Sequence, residues 1–163
     1  MTNSMLDAVN FDAVKNKYIE QLTKQGIKIS DTPKSNDAFF VSGDGYMYFI
    51  EFKNGKIDNG EVRTKIFDSL LILTDIIEAG ISYTRQNLNY ILVYNETKNH
   101  TKPKGEELQY SPSRTKFAEH LIEKKAKKKF IRFNLEKFEK LYFKNVFTVT
   151  SEKFESDFVK KWD

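Results

Sequence analysis

Three charged side chains interrupt a segment that is otherwise strongly apolar. Residues 36–55 read NDAFFVSGDGYMYFIEFKNG, two runs of aromatic and β-branched residues (38–42 and 46–53) around the turn formers Gly43-Asp44-Gly45. Asp37 opens this segment, and Glu51 and Lys53 break its end. A buried strand carries Glu-Phe-Lys only when the charges meet one another, a metal or a ligand. Two carboxylates and an ammonium at one place are suited to holding a hard divalent cation and facing a negatively charged group.

Strand geometry decides whether they meet. Side chains alternate faces, so Met47, Phe49, Glu51 and Lys53 share one face and Tyr46, Tyr48, Ile50 and Phe52 the other. Both faces are mainly apolar, as in a central strand covered on both sides. A three-residue turn at 43–45 pairs Ser42 with Tyr46 and sets Asp37 opposite Glu51, whereas a two-residue turn throws Asp37 to the other face. The three-residue turn is expected, because Gly is available for its left-handed position. Facing carboxylates then lie roughly 5 Å apart, close enough to share one divalent cation.

Asp37, a β-turn and Glu51-Phe52-Lys53 resemble the active-site hairpin of the PD-(D/E)XK nuclease superfamily, with Asn36 where that family has proline. The likeness covers roughly the first hundred residues. It implies an α/β, restriction-endonuclease-like fold: one domain with a mixed central sheet flanked by helices. It also implies metal-dependent hydrolysis of phosphodiester bonds. On this resemblance Asp37 and Glu51 are metal ligands, the Phe52 carbonyl adds a third, and Lys53 supports the attacking water or the charge at the phosphate. Accessory candidates are Glu20 on the first helix and Arg63 and Lys65 on the second. The implied cofactor is Mg2+ or Mn2+. The implied partner is nucleic acid, with DNA favoured over RNA.

Composition narrows the chemistry. The 163 residues suffice for one domain with a real core. Cysteine is absent, which excludes disulfides, thiolate metal sites and cysteine nucleophiles. The two histidines are too few for a histidine metal centre, so any metal is bound by oxygen. No apolar run reaches the ~18 residues of a membrane helix, and the N-terminus lacks a signal-like core, so a cytoplasmic location is expected. Residues 95–132 carry eleven Lys or Arg against five Glu, so the remainder of this net +4 chain is slightly acidic. Such a basic stretch suits a polyanion, and equally a solvated helix face.

The supporting elements follow from periodicity. Residues 1–10 read as a frayed start. A helix is expected over 11–24, with Phe11, Val14, Tyr18 and Leu22 on one face and Glu20 opposite, which favours solvent exposure for Glu20. A short strand is expected at 27–30, and a second helix over 61–79 closed by Gly80. Its apolar residues wrap most of its circumference, which implies deep burial or a partner chain, a homodimer being one candidate. Arg63 and Lys65 either reach the hairpin or, for Lys65, pair with Glu61 at i, i+4. The amino end of this helix is a candidate phosphate seat. Strands are expected at 88–94, 130–133 and 145–150, helices at 113–127, 136–142 and 152–162, and a polar loop containing His100 at 95–113. The core spans about 11–94, and 95–163 form a basic C-terminal extension of the same domain. The alternative to an enzyme is a catalytically inactive nuclease-fold protein that acts as an immunity-type or subunit interaction protein, with Glu51 and Lys53 as a structural ion pair.

Overall fold

The computed structural model describes residues 7–99 and 131–162. In chain order they form β1 (Val9–Asn10), α1 (Phe11–Lys24), β2 (Ala38–Val41), β3 (Met47–Lys53), α2 (Asn59–Ile76), α3 (Ile81–Asn87) and β4 (Leu88–Tyr94). A 3-10 turn (Glu136–Phe138) precedes β5 (Asn145–Thr150). The chain then continues through α4 (Ser151–Phe154), a π-helical turn (Glu155–Val159) and α5 (Lys160–Trp162). The strands make one mixed sheet in the order β1-β2-β3-β4-β5, antiparallel from β1 to β3 and parallel from β3 to β5, with helices against it.

Gly45 sets the register. Its φ of +82° is the left-handed position that glycine occupies without steric cost. The turn closes with Ser42 N donating to Tyr46 O at 2.9 Å and Gly45 N to Ser42 O at 2.8 Å. The Ser42 hydroxyl donates to Asp44 within the loop. Val41 therefore faces Met47 and Ala38 faces Ile50, the pairing expected from a three-residue turn.

The chain leaves β3 at Lys53, returns through α2 and α3, and enters β4 parallel to β3 with Met47 beside Leu88 and Glu51 beside Leu92. Asp58 caps α2, accepting from Gly60 N and Glu61 N. On one sheet face Phe11, Phe49, Val62, Ile66, Leu70, Leu88, Tyr90, Leu92 and Phe138 form a continuous core. Phe11 meets Phe49 edge-on at 4.9 Å, which seats the start of α1 against the middle of β3. On the other face Phe40, Ile50, Ile91, Val93, Phe154 and Val159 pack together, with Trp162 4.4 Å from Phe40.

The expected α1, β4 and β5 agree with the structure, and other elements differ for identifiable reasons. Residues 27–30 form no strand, because β1 already takes the edge of β2, pairing Val9 with Phe39. Residues 131–133 form no strand, and Phe133 and Asn134 turn through positive φ of 63° and 54°. The helix expected at 136–142 shrinks to the 3-10 turn. The second helix ends at Ile76, before Glu78 at φ +50°, and Gly80 opens α3 rather than closing α2. The outer face of α2 leaves Phe67 and Leu71 exposed, so its wide apolar surface is only partly covered. The helix expected at 113–127, His100 and most of the basic stretch lie outside the described residues. No described helix is long and apolar enough to cross a membrane.

Candidate functional site

The carboxyl end of β3 gathers five charged side chains. Glu51 is 0% exposed, lodged on the core face of a central strand. Its Oε1 accepts from Lys65 Nζ at 2.7 Å. The same ammonium reaches Asp37 Oδ1 at 3.3 Å, so one cation bridges the two carboxylates. Lys53 Nζ lies 3.5 Å from Glu51 Oε1 and 2.9 Å from Glu61 Oε1.

Each position has a local cause. The hairpin register brings Asp37 to the level of Glu51. Asp37 Oδ2 then accepts from Phe52 N at 2.8 Å, which fixes the carboxylate just past the last ladder pair. The Asp37 carbonyl accepts from Phe11 N at 3.2 Å, tying the start of α1 to the same residue. Capping by Asp58 starts α2 at a point where Lys65 faces β3. One turn further along α2, Ser69 Oγ accepts from Asn36 N at 2.8 Å and anchors the strand entry.

The electrostatics follow burial. Burial pushes the Glu51 carboxyl above its ordinary range. The Lys65 hydrogen bond opposes this without cancelling it, and the Asp37 charge adds to it. Burial also works against the Lys65 ammonium, but the Glu51 hydrogen bond and the two carboxylates outweigh it and raise its pKa. The hydrogen bond from Lys53 lowers the pKa of Glu61. Glu51 Oε2 is buried with no hydrogen-bond partner.

The sequence candidates therefore divide. Asp37, Glu51, Lys53 and Lys65 converge. Lys65 points into the site rather than pairing with Glu61, which takes Lys53 instead. Phe52 enters through its N–H, while its ring is exposed on the other face and meets Phe154. Glu20 stands apart, 63% exposed and paired with Lys24 at 2.6 Å. Arg63 makes no ion pair with the carboxylates among the described residues, and its Nε is buried without a hydrogen-bond partner. The amino end of α2 is a weaker phosphate seat than expected, because Asp58 already occupies the N–H groups of Gly60 and Glu61. Asp12, not singled out from sequence, is the acidic residue of α1 that borders the cluster. It accepts from Ser35 Oγ and feels the Lys65 charge. Its signal was its place beside Phe11, the residue that docks α1 on β3.

A divalent cation fits this donor set in one particular way. The oxygens open to such an ion are carboxylate oxygens, Asp37 Oδ1 and Glu51 Oε1, which the Lys65 ammonium bridges. Among the described residues no three Asp, Glu, His or Cys side chains converge on one point. Asp37 and Glu51 would hold the ion with water completing the shell, the mode Mg2+ favours over an all-protein cage. Lys65 Nζ now stands at the bridging position. Comparison with protein-family models, with curated proteins and with solved structures finds no match to this chain.

Proposed function

We propose that the chain is a metal-dependent nuclease that hydrolyses phosphodiester bonds, on a restriction-endonuclease-like arrangement of its mixed sheet. The observation that carries this reading is that one cationic position touches both Asp37 and Glu51, with a second ammonium, Lys53, beside them. The antiparallel hairpin followed by a helical crossover into a parallel strand supports the fold assignment.

When bound, Mg2+ or Mn2+ supplies an acidified water and compensates charge at the phosphate. The chain's own residues do the rest. The Phe52 N–H holds the Asp37 carboxylate in a fixed direction. Burial of Glu51 limits water around its carboxylate, which strengthens its attraction for any cation there. Lys65 keeps the carboxylates together in the free protein, and Asp37 and Glu51 would be the residues to hold a metal cation in its place. Lys53, steered by Glu61, faces the charge that develops on a phosphate oxygen during attack. The basic sequence of 95–132 favours a polyanionic substrate, for which DNA is the proposed class.

A second reading, an inactive nuclease-fold interaction protein, is favoured by the same ion pairs. Lys65 and Lys53 already compensate the carboxylates without any metal. One experiment separates the two: cleavage of mixed DNA and RNA substrates with Mg2+ or Mn2+, comparing wild type with Glu51→Ala and Lys53→Ala. Metal-dependent cleavage lost in both folded variants supports the nuclease. A folded wild type inert toward every substrate and metal moves the interaction reading ahead.

A further inference from the structure

Behind the carboxylates lies a group that the proposed reaction does not use. Tyr90, on β4, is 0% exposed, and its hydroxyl has no hydrogen-bond partner. Buried hydroxyls are seldom left in that state, since desolvation without a partner is costly. Glu51 Oε2 is equally enclosed and equally unpartnered. One atom is a donor and the other a charged acceptor.

The sheet places the two side chains together. In the parallel ladder Phe49 pairs with Tyr90 and Glu51 with Leu92, so Tyr90 and Glu51 lie on the same face as diagonal neighbours. Diagonal Cβ atoms are about 7 Å apart, a span that an aromatic side chain covers. Phe143 packs against the Tyr90 ring at 5.5 Å and limits its freedom. The Glu51 and Asp37 charges both act on the Tyr90 hydroxyl. Phe49, Leu88, Leu92 and Phe143 belong to the same core as Tyr90.

We infer that Tyr90 is the positioning residue of this site: its hydroxyl donates to one enclosed water that in turn donates to Glu51 Oε2, and so holds the carboxylate with Oε1 turned toward Lys65 and the cation position. The inference deepens the nuclease reading by giving the buried ligand its outer support, the arrangement that orients carboxylates in metal sites. The water-bridged link itself does not depend on that reading.

The test is a double-mutant cycle on the full chain without metal, followed by a Mg2+ titration. Tyr90→Phe removes only the hydroxyl. In the wild-type background it should lower the folding equilibrium constant roughly tenfold, as expected for a lost buried hydrogen bond. In a Glu51→Leu background the same change should be neutral or stabilising, because the carboxylate that anchors the water is gone. Should Glu51→Leu not fold, Glu51→Gln replaces it, and the loss should be smaller than in wild type because the acceptor is neutral. A Tyr90→Phe variant that is more stable than wild type, or that changes stability by the same factor in both backgrounds, overturns the inference. For the positioning role, calorimetry should show Mg2+ binding weakened about tenfold or more in folded Tyr90→Phe. Unchanged Mg2+ affinity overturns that role. If wild type binds no Mg2+ while the cycle shows coupling, the metal reading fails and the Tyr90–Glu51 link stands.

Discussion

Replacing Lys65 by methionine keeps most of the side-chain stem and removes only the charge that bridges Asp37 and Glu51. At contact distance and an effective dielectric of ~20, each such pair has a gross attraction of about 4 kcal/mol. Desolvation consumes part of this, and breaking a buried pair nets about 3–5 kcal/mol because a charge is left behind. Asp37 is 35% exposed, and water can partly replace the lysine there. The expected loss is therefore near the lower end, about 3 kcal/mol, or roughly 6–12 °C in Tm for a domain of this size. The pH dependence is the sharper readout. The folded chain holds the Glu51 proton more tightly than the unfolded chain, chiefly through burial. Ionising Glu51 thus costs stability as pH rises through its folded pKa, and losing Lys65 enlarges that cost. Urea unfolding followed by circular dichroism should show the Lys65→Met deficit greatest at pH above the folded Glu51 pKa and shrinking as pH falls toward the ordinary Glu value of 4.5. Added Mg2+ should recover more stability in the variant than in wild type, because the bridging position is then open to it. A variant as stable as wild type, or a deficit constant across that range, would refute the bridge.

Two further perturbations test the frame around the site. Gly45→Ala places a side chain at φ +82° and should cost about 1 kcal/mol, some 2–4 °C in Tm; an unchanged Tm would mean that the turn relaxes. Glu20→Gln should shift Tm by no more than about 1–2 °C and leave any Mg2+ response intact, since its pair with Lys24 is exposed at i, i+4; a lost Mg2+ response would place Glu20 in the site after all.

The parts of this site legible in the sequence are those governed by local geometry. Gly43-Asp44-Gly45 fixed the hairpin register, and with it the meeting of Asp37 and Glu51, because turn length dictates which residues face each other. The limits of α1, β4 and β5 followed from caps and unbroken apolar runs. Lys65 could not be assigned, because its spacing from Glu61 serves a surface pair as well as a turn toward β3; packing of α2 on the sheet decided it. Tyr90 was not singled out within the expected strand at 88–94, since only cross-strand pairing reveals which carboxylate lies diagonal to it. The strand at Val9–Asn10 is too short to carry a pattern, and the segment at 27–30 had a strand's composition but no free edge to join.

That short first strand has a consequence for how the molecule behaves among copies of itself. Unpaired strand edges invite further strands to add, and proteins commonly blunt them with short or obstructed margins. Here β1 covers the β2 edge at Ala38 and Phe39 and then turns at once into α1, so it offers almost no backbone for another chain to extend. At the opposite margin the Glu139 carboxylate takes the Val146 N–H at 2.9 Å, and Thr148 Oγ1 receives the Arg132 N–H at 2.9 Å. The sheet that aligns the two carboxylates is thus obstructed at Ala38 and Phe39 on one margin and at Val146 and Thr148 on the other, the places where an added strand would have to pair.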